Sequence, residues 1–171
     1  MKEISLPEFR DLLRSHHRAF HLEMKDSYHV TTEDEPFRQF LAGETVDLEW
    51  MAGWLALIRD TTGAGVAVQR TRIVSEPLND YARFLLYAVT PSNVEAGEDV
   101  RYLPRDKAAG IDLPAEDCWL FDDSKLVLVI FAEDGRSYGM YPSDDQELTA
   151  RYARVSDEVW ERAIPYSEYI S

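Results

Sequence analysis

Residues 66–103 read VAVQRTRIVSEPLNDYARFLLYAVTPSNVEAGEDVRYL. Val66 to Val74 is short and rich in β-branched side chains, which is the composition of a strand. Ser75-Glu76-Pro77 breaks the run, and the proline is expected to open a helix. Leu78, Tyr81, Ala82, Leu85, Leu86 and Val89 then recur at helical spacing. Asn93 to Gly97 reads as a turn. Val100 to Leu103 reads as a second strand, which Pro104 closes. Strand, helix and strand in one run predict a parallel crossover, and with the antiparallel hairpins that follow they predict a mixed sheet with helices on its faces.

On the N-terminal side the pattern is helical. Ser5 followed by Glu8 is a capping box, with Phe9, Leu12 and Leu13 as the stripe behind it. Residues 20–34 are polar and carry no clear period. Pro36 reads as a first-turn proline, with Phe37, Phe40 and Leu41 as an apolar face and Gly43 as the stop. Asp47 can cap a further helix, whose stripe is Leu48, Met51, Trp54, Leu55 and Ile58 and which ends before Gly63.

On the C-terminal side the pattern is mostly β. A loop runs from Asp106 to Asp117. Trp119 to Phe121 and Leu126 to Phe131 flank the turn Asp122-Asp123-Ser124 and read as a hairpin. A second turn at Asp134-Gly135 leads to Tyr138–Tyr141. The final helix starts near Asp144, buries Leu148, Tyr152, Val155, Val159 and Ala163, and stops at Pro165. The expected architecture is a single α/β domain over 1–171. A helical N-terminal part (1–62) precedes a mixed-sheet part (63–171) ordered β-α-β-β-β-β-α.

The chain has 171 residues and a formal net charge of −14. Residues 63–110 hold 6 basic and 6 acidic side chains, whereas 111–171 hold 5 and 14. That acidity argues against direct nucleic-acid binding and against anionic membranes. It leaves a basic protein partner or a small ligand. Cys118 is the only cysteine, so neither an intrachain disulfide nor a cysteine-based zinc site is available, and its CWLF setting reads as core. No apolar run approaches a membrane span, and the N-terminal residues lack an apolar signal core. A cytoplasmic location is the expectation.

Motifs for chemistry are sparse. His17 and His21 are spaced to share a helix face near Glu23 and Asp26, but the segment is not a metalloprotease motif, and surface or capping roles explain it. Gly63-Ala64-Gly65 precedes a strand, whereas phosphate-binding glycines follow one. The acidic pairs Asp122-Asp123 and Asp144-Asp145 fit a turn and a helix start. No cofactor is implied. The basic groups of the neutral middle third are the candidate site. Arg70 and Arg72 alternate onto one face of the first strand. Glu76, Tyr81 and Arg83 follow at the helix start, and Glu98, Arg101 and Arg105 surround the second strand. If the strands are neighbours, these side chains gather at a sheet edge. They then form either an Arg–Glu network that fixes the crossover or a pocket for a small anionic ligand, with the structural reading taking precedence.

RTRIVSEPLNDYARF (70–84), SNVEAGEDVRYLPR (92–105), DCWLFDD (117–123) and VWERAIPYSEY (159–169), together with LAGE (41–44), resemble an uncharacterised actinobacterial domain-of-unknown-function family. The resemblance spans nearly the whole chain. Members of that family are often encoded beside helix-turn-helix regulators, which implies a regulatory or protein-interaction role with such a partner and no enzymatic activity to carry over. The element order also resembles one half of a phospholipase D-like domain, whose H-x-K-x4-D motif lies on the strand that here ends at Asp122-Asp123. One register puts Glu116 and Cys118 at the histidine and lysine positions, and the other puts Ala115 and Asp117 there. Neither keeps the motif, so the resemblance implies a catalytically silent copy.

Overall fold

The computed structural model describes all residues, Met1–Ser171. A seven-stranded mixed sheet divides the molecule into two helical layers. Three parallel strands form one half: β1 (Arg18–Glu23), β2 (Ala67–Val74) and β3 (Asp99–Pro104). An antiparallel meander of β4 (Asp117–Phe121), β5 (Lys125–Phe131) and β6 (Ser137–Ser143) joins it along β1. The two-residue β7 (Ile164–Pro165) closes the far side against β3. The strand order is β6-β5-β4-β1-β2-β3-β7. The expected parallel crossover and the expected hairpins are both present, and the fold is the mixed α/β sheet that the pattern predicts.

One layer holds α1 (Leu6–Ser15), α2 (Asp34–Leu41), α3 (Ala52–Gly63), α4 (Asp80–Phe84) and α5 (Thr90–Glu95). The other holds α6 (Gln146–Arg162), and the short α7 (Tyr166–Tyr169) stacks Tyr169 flat on Tyr102. The capping box of α1 is complete: the Ser5 N–H donates to Glu8 at 2.6 Å and the Glu8 N–H to Ser5 Oγ at 3.3 Å. The two faces of the sheet have separate cores. Ala19, Val68, Trp119 and Phe121 pack under Phe9, Leu13, Ile58 and Phe84. Phe20, Leu22, Ile73, Cys118 and Leu120 pack on Tyr152, Val155 and Val159 of α6. Alternation along each strand produces this split.

Two expectations are corrected. The first third is not wholly helical, because it contributes β1, the central strand, and His21 lies on that strand instead of on a helix with His17. RAFHLE does alternate, but its inner face carries His21 and Glu23. Buried polar groups break the apolar signature that marks a half-buried strand. The crossover helix does not open at Pro77. Asn79 caps it, its side chain accepting the Ala82 N–H at 2.8 Å, and the cis-bonded Pro77 stays outside. A π turn at Leu85–Val89 then separates α4 from α5, and the helix runs through Asn93 where a turn is expected.

Gly97 ends α5 at φ 113°. L side chains rarely adopt that conformation, and a Cβ there collides with the side chain of Thr62 on α3. Gly97→Ala is expected to lower Tm by several degrees, and adding Thr62→Ala to recover only part of the loss, because it removes the Oγ1 and Cγ2 contacts but leaves the Thr62 Cβ contact and the backbone strain. Thermal unfolding of the two variants followed by circular dichroism checks this. An unchanged Tm in Gly97→Ala contradicts the account.

Candidate functional site

Register brings the site together. His21 pairs with Arg70 and Glu23 with Arg72 across β1 and β2. Arg72 pairs with Tyr102 on β3, and His21 with Trp119 on β4. Paired residues share a face, so all of these side chains point into the layer of α1–α5. There they are buried: Arg70 is 7% exposed, Arg72 6% and Glu98 3%.

Glu23 stands at the centre. Its Oε1 accepts from Arg70 Nη1 at 2.5 Å and from Arg72 Nε at 3.3 Å. Arg70 Nε donates to Glu98 Oε1 at 2.9 Å, and Asn93 Nδ2 donates to the other Glu98 oxygen at 2.7 Å. Arg72 Nη1 donates to Thr90 Oγ1 at 2.6 Å and to Tyr102 Oη at 3.1 Å. Two guanidiniums thus meet two carboxylates. Burial opposes ionisation of Glu23, but Arg72 and Arg70 outweigh it and hold its carboxyl well below the usual range. Burial, helped by Arg70, pushes His21 down to about 3, so its ring is neutral. That ring stacks on Trp119 with centroids 4.2 Å apart.

Glu33 and Asp117 behave differently, because neither has an ion pair. Glu33 precedes α2 and accepts only from Tyr81 Oη, at 3.2 and 3.3 Å. Asp117 opens β4 and accepts the Met24 N–H at 3.0 Å and the Tyr28 hydroxyl at 2.5 Å. Burial pushes each up to about 7, more than these hydrogen bonds pull it down. Both carboxyls line a cavity of about 240 Å³ whose floor is His21, Glu23, Arg70 and Arg72. Trp50, Trp54, Tyr81 and Phe131 supply apolar wall, and Asn93 also lines it. His21 Nδ1, Trp50 Nε1 and Asn93 Oδ1 are buried there without a hydrogen-bond partner.

The fate of the candidate residues is mixed. Arg70, Arg72, Tyr81 and Glu98 do gather, at the centre of the sheet and not at an edge. The other four lie elsewhere. Glu76 accepts from Tyr169 Oη at 2.9 Å. Arg83 is exposed on α4. Arg101 pairs with Thr71 and so faces α6, its guanidinium 3.8 Å above the Trp160 ring. Arg105 donates to Met24 O at 2.6 Å and to Ser75 Oγ at 3.2 Å. The arginine-lined anion pocket is therefore not assembled. Arg101 is out of phase by one residue, and the two arginines that face the cavity are engaged with Glu23, Glu98, Thr90 and Tyr102. Sequence reasoning misses Glu33, Asp117, Asn93 and the pairing role of Glu23. The available signal is HLE on one strand beside RTR on the next, charged residues at matching alternate positions.

The strand order and helix layers define a phospholipase D-like fold. Over 94% of this chain and 89% of the other, the structure is similar to Nuc of Salmonella typhimurium, a phospholipase D family member, with a TM-score of 0.51 and 8% identity. The chain itself belongs to the DUF6879 family, a domain of unknown function, whose model matches residues 7–171. No curated protein matches the sequence. Asp117 lines the cavity, and its neighbour Cys118 is buried in the core against α6. Asp122 caps the start of β1 by accepting the Arg18 N–H at 2.8 Å and the His17 N–H at 3.0 Å.

The raised carboxyls fix a pH dependence. Unfolded, Glu33 and Asp117 release their protons near 4.5 and 3.8; folded, near 7. In that window the folded state binds more protons, so the stability they confer falls as pH rises and is fully lost above about pH 7. Glu33→Gln and Asp117→Asn are each expected to raise Tm at pH 8 by about 5 °C or more and to change it little at pH 4. Thermal unfolding at the two pH values measures this. An equal effect at both means that the folded state does not hold these protons.

Proposed function

We propose that this chain is a non-enzymatic regulatory and interaction domain, with the cavity above β1 and β2 as a small-molecule site that modulates contact with a protein partner. The observation that carries the reading is the set of unpartnered atoms around one cavity. Buried polar atoms without partners are rare in folded proteins. Three of the six in this chain, His21 Nδ1, Trp50 Nε1 and Asn93 Oδ1, belong to residues lining that cavity.

The chemistry of the surroundings favours binding over turnover. A ring held neutral down to about pH 3 is a poor general base at neutral pH. The Cys118 thiol is raised by burial and lies in the core of the opposite face. The position corresponding to the phospholipase lysine carries Asp117 in one register and Cys118 in the other. The π turn between α4 and α5 supports a responsive role, since such turns recur at functional sites; Leu85 and Val89 of this turn line the cavity. A net charge of −14 suits a basic partner surface. The family resemblance favours a helix-turn-helix regulator as that partner.

Where a helix-turn-helix regulator is encoded beside this chain, as the family resemblance implies, size-exclusion chromatography of the two together is expected to show a stable complex. Bis(p-nitrophenyl) phosphate is expected to remain intact on incubation with the purified chain. Hydrolysis that disappears in Asp117→Asn overturns the non-enzymatic reading, and separate elution removes that regulator as the partner.

A further inference from the structure

Building on the cavity as a small-molecule site, we infer that its ligand is a small organic cation, a primary amine or guanidine held by Glu33 and Asp117. The charge inventory leads there. Arg70 and Arg72 are balanced by Glu23 and Glu98. What remains at the cavity is two carboxyls, 7% and 1% exposed, neither of them in an ion pair, although Arg72 lies near Glu33 and Lys25 near Asp117. A buried carboxylate requires a counter-charge or a proton, because the low-dielectric interior does not solvate it. An anionic ligand would add to the deficit.

Hydrogen-bond polarity gives the same sign independently. Asn93 is 2% exposed, its amide nitrogen is engaged with Glu98, and the atom left without a partner is its acceptor Oδ1. Both Glu33 oxygens share a single tyrosine hydroxyl. Acceptors are thus in excess; the indole N–H of Trp50 is an unpartnered donor, and His21 Nδ1 donates or accepts according to its tautomer. A ligand that satisfies the site brings several N–H groups. Trp50, Trp54, Tyr81 and Phe131 give the cavity an aromatic lining, which favours a cation over a neutral donor, and the Lys25 ammonium lies 5.9 Å from the Phe131 ring centroid. The cavity of 240 Å³ has the volume of about eight liquid waters, which admits an amine on a short body and excludes a peptide.

The site also couples binding to protons. Glu33 is faced by Tyr81 of α4, Arg72 of β2, Glu23 of β1 and its neighbour Asp34. Asp117 is faced by Tyr28 and Lys25 of the segment after β1, by Glu23, and by the Met24 N–H. Without a ligand, burial favours the protonated carboxyls. A bound cation displaces those protons, so affinity rises with pH, by about tenfold per carboxyl between pH 6 and pH 8.

Indole N–H resonances of the ¹⁵N-labelled full chain test this. Trp50, Trp54 and Trp119 line the cavity, while Trp160 packs on Phe20 across the sheet and serves as the internal reference. Benzylamine and agmatine are titrated at pH 6 and pH 8, with benzyl alcohol and benzoate as neutral and anionic counterparts. The amines are expected to shift the three cavity indoles and to spare Trp160, with affinity at least tenfold higher at pH 8. Glu33→Gln is expected to lose tenfold or more in affinity at pH 8 and one of the two tenfold steps of the pH dependence. Asp117→Asn serves in its place if that variant fails to give a dispersed spectrum. If benzyl alcohol or benzoate binds as tightly as benzylamine, or amine affinity is flat with pH, the cation is wrong and the cavity reading stands. If no probe moves a cavity indole, the cavity reading falls as well.

Discussion

Glu23 is the residue on which the centre of this molecule depends. One carboxylate on the middle strand receives a guanidinium from each of two alternate positions on the neighbouring strand. Glu98, the residue immediately before β3 begins its pairing with β2 at Asp99, secures the far side of Arg70. The network therefore ties the three parallel strands together through charge where most sheets use aliphatic packing. Such an arrangement gives specificity more than stability. Replacing a whole buried network by apolar residues is often neutral or stabilising, whereas removing one member strands a charge at a cost of about 3–5 kcal/mol. It also penalises register errors, since a one-residue slip of β2 would send both arginines into the apolar core against α6.

The same network shapes the cavity. A sheet face lined with guanidiniums and carboxylates cannot be filled by the aliphatic side chains that fill the opposite face, so the helical layer bridges it with aromatics. Trp119 packs edge to face with both Trp54 and Phe9 beside the polar floor, while Phe9 and Trp54 stack on each other. The polar atoms left over at this boundary, on Asn93, His21 and Trp50, are the cost of placing charge inside a core. Glu33 and Asp117 make no ion pair with the two arginines, and this separates two kinds of carboxyl in one pocket: one held ionised by pairing, the other pushed by burial toward the protonated form.

The likeness to a phospholipase D family structure is a likeness of scaffold. A shared fold at 8% identity reports strand order and packing, not a reaction. Here the inner face of β4 begins with Asp117 and continues with Trp119, and the charged groups come from β1, β2 and the segment leading into β3.

Much of the fold was legible in the sequence. The crossover over 66–103, the hairpins, the capping box at Ser5 and the stripe of α6 all follow from local periodicity and turn chemistry, which neighbouring residues encode. The shared face of Arg70 and Arg72 follows from the two-residue repeat alone. The sequence by itself could not reveal β1 as the central strand, because His21 and Glu23 remove the apolar alternation by which strands are recognised. Nor could it say which charges meet. Arg101 and Glu98 are three positions apart, yet only Glu98 reaches Arg70, while Arg101 alternates onto the other face. Glu33 and Asp117 are 84 positions apart in the chain and share a cavity only because β1 lies between β2 and β4. Strand register and sheet order are long-range properties, set by packing both cores at once, so it took the tertiary structure to turn a scatter of charged residues into a site.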